Sequence, residues 1–192
     1  MHNNLPYFFI FIDKYNSHFF KNNNTNIGII YRNYNAKTRE DELSKISKAC
    51  KRTRLQLFVS NSLKLAIKFK AQGLYIPSFN KAKNYSNVEK RNLKIIGSAH
   101  NQKEILNKIQ QKCSAIFLSP IFDVTKSKKS LGIHKFNYIN NKNMVTIFPL
   151  GGIIEENIKK LKLLNSKGFG GIRMFKKKPA YKRPVFIKNN FF

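Results

Sequence analysis

The chain has 192 residues, and its 37 Lys and Arg against 9 Asp and Glu give a formal net charge of +28. With 42% hydrophobic residues and 17 Phe, it carries enough apolar material for one core, which excludes wholesale disorder and suits a single domain over residues 1–192. Two cysteines, Cys50 and Cys113, exclude a disulfide scaffold and a cysteine zinc site, and read as buried thiols in a reducing compartment.

The first apolar run, Tyr7–Ile12 (YFFIFI), stops at Asp13. It falls far short of the ~18 residues of a membrane span and lacks the basic flank of a signal peptide. A cytoplasmic chain with no membrane partner is expected. The polar stretch Tyr15–Asn26 leaves room for about one helical turn before the second run, Ile27–Tyr31. Thr38 and Asp41 make a capping-box-like helix entry, ahead of an apolar stripe of Leu43, Ile46 and Cys50. Leu55–Ser60 is the third run, after which Asn61 precedes Leu63, Ala66 and Ile67 at helical spacing. Gly73–Ile76 is the fourth; the stretch behind it holds at most a short helix around Asn87–Asn92. Leu93–Gly97 follows, and Asn101 with Glu104 repeats the capping device before Ile105, Leu106 and Ile109. Ala115–Leu118, Met144–Phe148 and Gly170–Phe175 complete eight runs. Glu155 and Glu156 open a helix carrying Ile158, Leu161 and Leu164, while Pro179 and Pro184 interrupt the last one.

Runs that are continuously apolar suit strands covered on both faces, as in a parallel sheet. Eight of them alternating with helices predict an α/β fold, a (β/α)8 TIM barrel. At 192 residues it is short for a fold that takes ~250, so the first helix is expected to be reduced and the last irregular. An open doubly wound sheet is the other arrangement of such elements.

The charge invites a nucleic-acid reading, but the lysines are scattered among asparagines in every segment, and no finger, basic zipper or RNA-binding motif appears. Only Lys176–Lys178 through Lys188 forms a compact basic arm. Nucleic acid is therefore an unfavoured partner, whereas an anionic small substrate would be drawn in by such a field. Oligomeric state has no signature in the sequence.

In a parallel barrel, ligands bind at the C-terminal strand ends. The residues there are Asp13; Arg32, Asn33 and Tyr34; Ser60 and Asn61; Ser78 and Asn80; Ser98 and His100; Pro120 through Asp123 to Lys126; Gly151 and Gly152; and Gly171 with Arg173. The set is polar, cationic and glycine-bearing. Two glycine turns at the last two strands fall where this fold commonly holds a phosphate.

Several of these segments carry a resemblance. Leu118–Lys126 (LSPIFDVTK) resembles the GPIFPTxTK segment of thiamine phosphate synthases, and Ile96–His100 (IGSAH) is similar to their G(V/R)S(A/V)H. Phe58–Asn61, Leu65-Ala66 and Gly73–Ile76 resemble FIVND…LA…GVHLGQ; Ile30–Tyr34 sits where the family has QxRxK, and Leu150–Ile153 matches its GGI. The order is kept from about Ile27 to Phe175, and the related thiazole tautomerases share these segments.

The resemblance implies a transferase of thiamine biosynthesis. It would join hydroxymethylpyrimidine diphosphate to a thiazole phosphate, with release of pyrophosphate and assistance from Mg²⁺. By position, Arg32, Ser98 and Lys126, with Thr125 nearby, would hold the diphosphate, and Gly151, Gly152 and Gly171 the thiazole phosphate. An ionising C–O bond needs its leaving diphosphate neutralised more than it needs a base. The family's metal-binding aspartates fall on Asn61 and Asn80, the asparagine before the first on Ser60, and its Gln and Lys on Ile30 and Tyr34. Its catalytic residues are thus not identified in this chain. Mg²⁺ is expected only as an ion carried by the substrate, because a hard dication wants anionic oxygen. The tautomerase histidine falls on Pro120, which disfavours that activity. A barrel that binds a phosphorylated ligand without catalysis is the alternative reading, and a basic nucleic-acid binder the third.

Overall fold

The computed structural model describes residues 5–20, 26–34, 37–85, 88, 92–124 and 129–171. The expected helix around Asn87–Asn92, the proline-interrupted last helix and the basic arm lie wholly or largely outside them.

Eight strands form one parallel sheet: β1 (Phe8–Ile12), β2 (Ile27–Tyr31), β3 (Gln56–Ser60), β4 (Gly73–Ile76), β5 (Lys94–Ala99), β6 (Ala115–Leu118), β7 (Thr146–Pro149) and β8 (Phe169–Gly171). Their order is β7-β6-β5-β4-β3-β2-β1-β8, and a parallel bridge from Leu150 to Gly170 closes β7 onto β8. The sheet is a barrel of the (β/α)8 type. Every apolar run contributes a strand, and residues 172–175 of the last run lie outside the described residues. Among the described residues, the connection after β1 holds one 3₁₀ turn, Ser17–Phe20, in keeping with the reduced first helix expected from the chain's length. Among the described residues, no helix is long and apolar enough to cross a membrane.

Strand side chains alternate between two cores. Ile10, Ile12, Ile29, Leu57, Leu74, Ile95 and Ile116 face the helices. Phe9, Phe11, Ile30, Phe58, Tyr75, Ile96, Phe117 and Phe148 fill the barrel. Space for these rings comes from glycines at facing inward positions. A Cβ at Gly28 would lie 2.7 Å from the Phe9 ring, one at Gly73 2.7 Å from the Phe58 ring, and one at Gly170 3.0 Å from the Phe117 ring. The rings meet mostly edge to face, with Phe117 5.0 Å from Phe9 and 5.3 Å from Phe11 between centroids.

Among the described residues the α-helices are α1 (Arg39–Thr53), α2 (Leu63–Lys68), α3 (Gln102–Gln110) and α4 (Gly132–Asn141). Leu43, Ile46 and Cys50 are buried under α1 as expected, but Thr38 caps it without a side-chain hydrogen bond. For α2 the cap is Ser62, whose oxygen accepts from the Leu65 N–H, and Leu65 and Ala66 turn inward while Ile67 is exposed. The Asn101 side chain caps α3 by accepting from Glu104 N at 3.0 Å. Its apolar stripe needs correction: Ile105 is buried, but Leu106 and Ile109 face out and Lys108 faces in, 1% exposed. The cause is that Lys108 finds three oxygen acceptors there. Gly97 also leaves room for its stem, because a Cβ there would meet Lys108 Cδ at 2.8 Å. Glu155–Leu163 is a 3₁₀ helix, with Ile158 and Leu161 inward.

Candidate functional site

At the C-terminal mouth of the barrel, Asp13, Arg32, Asn33, Tyr34, Ser98 and His100, with residues of the β4 and β6 loops, line a cavity of about 610 Å³. Inward positions become polar toward this end: Phe58 is followed by Ser60, Ile96 by Ser98, and Phe117 by Ser119. Hydroxyls at that depth need partners. Tyr75 OH donates to Ser98 Oγ at 2.8 Å, which leaves the Ser98 hydroxyl hydrogen free for a ligand. Burial keeps the Tyr75 phenol neutral by raising its pKa, and the Ser98 bond opposes this only in part.

The turn after β2 carries the cation. Arg32 Nε meets Asp13 Oδ1 at 3.3 Å, and Asn33 Nδ2 donates to the Asp13 carbonyl oxygen at 3.3 Å. This pairing fixes the guanidinium stem while leaving its terminal NH₂ groups for a bidentate anion contact. Arg39 holds the same turn by donating to the carbonyl oxygens of Tyr34 and Ser60. Tyr34 stands edge-on to Phe79 across the rim, 5.5 Å between centroids, and burial raises its phenol pKa. Across the mouth, His100 Nδ1 lies 2.8 Å from the Ser119 carbonyl oxygen. A carbonyl only accepts, so Nδ1 carries the proton in the neutral ring and Nε2 is left as an acceptor. His100, one of the strand-end residues singled out in the sequence, thus lines the cavity.

Ile30, in the family's Gln position, is fully buried inside the barrel. Gly151 and Gly152 follow β7 with φ of 88° and 73°, and a Cβ on Gly152 would lie 2.2 Å from the Phe122 carbonyl oxygen. Glycine is thus required there by the left-handed backbone and by the close approach of the β6 loop. Gly171 pairs with Ile10, two residues below the C-terminal end of β1. Thr125, Lys126 and Arg173 lie outside the described residues.

Asn61 and Asn80 come together beside the cavity, on the loops after β3 and β4. Asn80 Nδ2 donates to Asn61 Oδ1 at 2.6 Å and to Tyr85 OH at 2.9 Å, while Asn80 Oδ1 accepts from Ala82 N at 2.8 Å. These amides do not fit the Mg²⁺ implied by the resemblance. Their oxygens are neutral and already accept hydrogen bonds, and a hard dication is held through anionic oxygen. Among the described residues, no cluster of three His, Cys, Asp or Glu could hold a metal. Beneath the pair, Lys108 Nζ donates to the carbonyl oxygens of Pro77 and Asn80 and to Gln111 Oε1, at 2.8, 2.9 and 2.8 Å. Gln111 Nε2 donates to the Asn80 and Ala82 carbonyls. Burial lowers the Lys108 pKa. No sequence signal distinguished Lys108 from a surface lysine, apart from its i, i+3 spacing from Ile105.

Comparison with known proteins places this geometry. The family model described as thiamine monophosphate synthase matches residues 25–175. A thiamine-phosphate synthase of Prochlorococcus marinus is 32% identical over 130 residues, covering 66% of this chain and 37% of that protein. The synthase of a second strain is 30% identical over 149 residues, covering 71% and 40%. The chain thus spans about two fifths of the length of these curated relatives. A thiamine phosphate pyrophosphorylase from Pyrococcus furiosus superposes with a TM-score of 0.70 at 17% identity, over 88% of this chain and 85% of that one. A structure described as native KDPGal superposes at 0.63 and 12% identity, over 95% and 89%, so the barrel itself is shared more widely. The matched segment runs from just before β2 past β8 and takes in every strand end but that of β1, and on that match the chain belongs to the thiamine monophosphate synthase family.

Proposed function

We propose that the chain is a single barrel domain that joins hydroxymethylpyrimidine diphosphate to a thiazole phosphate and releases pyrophosphate. The observation that carries this reading is the shared opening of Arg32 and Ser98 onto one cavity of about 610 Å³, backed by family membership. Arg32 is the bidentate donor to the diphosphate, and Ser98, held by Tyr75, is a directed hydroxyl donor. Charge that develops on the departing diphosphate is met by these fixed donors, which were oriented before the substrate arrived. Thr125 and Lys126 extend that set, and Gly151, Gly152 and Gly171 belong to the thiazole phosphate. The substrates are phosphorylated small molecules; nucleic acid and membrane are not partners in this reading, and the setting is the cytoplasm.

A second reading, a barrel that binds phosphorylated ligands without turnover, is favoured by the amide pair Asn61–Asn80. Incubation of the two precursors with the protein and Mg²⁺, followed by quantification of thiamine phosphate, decides between them. Product that disappears in Arg32→Ala and Ser98→Ala supports the transferase. Binding of both precursors without product establishes the second reading.

A further inference from the structure

The amide pair and the lysine beneath it have a consequence of their own. Amide orientation is ambiguous when both ends face groups that can donate and accept, but here one neighbour settles it. The Ala82 N–H can only donate, so the Asn80 oxygen must face it. Asn80 Nδ2 therefore points at Asn61 and Tyr85, and Asn61 must present its oxygen in return. What remains for a ligand is Asn61 Nδ2, whose two N–H groups have no acceptor among the described residues. Two carboxylates in the same places would offer anionic oxygen and would repel each other without a cation. This corner offers the opposite polarity.

Lys108 strengthens it. Lys108 is 1% exposed, and its ammonium donates to three neutral oxygens. Among the described residues, no carboxylate forms an ion pair with it. A buried charge without a counter-ion is costly, and this one lies on the carbonyl of the residue that orients Asn61. Glu104, one turn back on α3, acts on it only through space, and an anion on the Asn61 amide would add negative charge on the other side.

We infer that the Asn61–Asn80 corner, backed by Lys108, is an anion subsite that takes a diphosphate directly through N–H donors, without a metal ion held by the protein. The choice of diphosphate rests on the proposed function; the polarity of the corner does not. Lys108 acts here as a positioning and field residue, since its three donors are spent on the β4 loop and on Gln111.

The test is calorimetric titration of the full chain with sodium pyrophosphate, in excess EDTA and in excess Mg²⁺. Binding in EDTA within about twofold of that in Mg²⁺ is expected, since less than one hydrogen bond to a charged group separates the two conditions. Binding that requires Mg²⁺, or no binding in either condition, overturns the inference. Asn61→Asp with Asn80→Asp should bind about tenfold more weakly in EDTA, the effect of one lost charged hydrogen bond, and recover in Mg²⁺. Unchanged binding by that variant in EDTA overturns it as well. For Lys108, the comparison is with Gln111→Leu, which loosens the same loop and keeps the charge. Lys108→Met should lose about tenfold in affinity and Gln111→Leu about twofold; equal losses reduce Lys108 to an anchor. If Lys108→Met does not fold, the two-condition titration and the aspartate variant still decide. Failure of the precursors to give thiamine phosphate would defeat the transferase reading and leave these outcomes standing.

Discussion

The lower barrel and its mouth are built on the same strands and held by different forces. Below, inward positions alternate ring and glycine, and Phe9, Phe11, Phe58, Phe117 and Phe148 exclude water by shape. Above, the same inward register turns to Ser60, Ser98 and Ser119, and cohesion passes to hydrogen bonds such as Tyr75 to Ser98 and Lys108 to the β4 loop. Packing stabilises through area and volume, so it responds to size changes and hardly to pH. A polar mouth responds to lost partners and to charge. The difference separates what keeps the fold from what the fold presents to a ligand.

The largest break is expected below. Phe117 packs against Phe9, Phe11 and Phe148 with centroids 5.0, 5.3 and 5.7 Å away. Phe117→Ala should cost about 3–5 kcal/mol in urea unfolding, the usual range for an emptied aromatic site. A loss under about 1 kcal/mol would mean that the barrel collapses onto the gap. The converse change is nearly as informative. An added Cβ at Gly73 meets the Lys94 carbonyl oxygen at 2.3 Å as well as the Phe58 ring, whereas at Gly28 the nearest atoms belong to the Phe9 ring. Backbone cannot step aside as a ring can. Gly73→Ala should therefore cost more than Gly28→Ala, toward the upper end of the ~1–3 kcal/mol typical of overpacking.

The two regions also differ in how far the sequence discloses them. Period-2 packing on a buried parallel sheet leaves long apolar runs, so all eight strands and their order could be read directly. Helix α4 could not. It starts from Leu131, with no side-chain cap bond and no acid in its first turn, so no start signal is present. Only Phe136 and Ile139, three apart and both buried, betray it. Arg32, Ser98, Asn61 and Asn80 were legible because motif order survives divergence. The meeting of the two amides, and Lys108 under them, were not. A lysine at helical spacing from Ile105 looks like any solvated lysine until the fold delivers Pro77, Asn80 and Gln111 to its ammonium.

The mouth should break more gently, and through partners. Gln111→Leu keeps the side-chain volume roughly but abandons the Asn80 and Ala82 carbonyl oxygens, to which Gln111 donates at 3.0 and 2.6 Å. With those acceptors beside the buried Lys108, about 1–3 kcal/mol of stability should go, the cost of leaving buried polar groups unpaired. Hydrogen exchange should show the opening confined to the β4 loop, with the strand amides of β1 and β6 still protected. Exchange that rises equally in the strands would show that the loop and the barrel unfold as one unit.

The smallest expected effect is the one that only the mouth can show, because it is a charge effect. Glu42, in the first turn of α1, accepts from the Tyr15 N–H at 2.7 Å and so ties the loop after β1 to the helix. That hydrogen bond, opposed by some burial and aided by Lys45, holds its carboxyl below the ordinary 4.5. A carboxylate depressed in the folded state contributes stability above its unfolded pKa and loses it as pH falls through the folded value. Lys45 meets it at 3.2 Å on the solvent side, so screening limits the contribution to about 0.5–1 kcal/mol. Glu42→Gln keeps an oxygen for Tyr15 and removes the charge. At neutral pH it should unfold that much more easily than the parent, and the gap should close as pH falls below about 4.5. Phe117→Ala, measured over the same range, should keep a constant deficit. A Glu42→Gln deficit that persists at low pH would mean that the loop is held by packing of Tyr15 on Phe20, whose rings stack at 5.4 Å, and that the mouth there belongs with the barrel's interior.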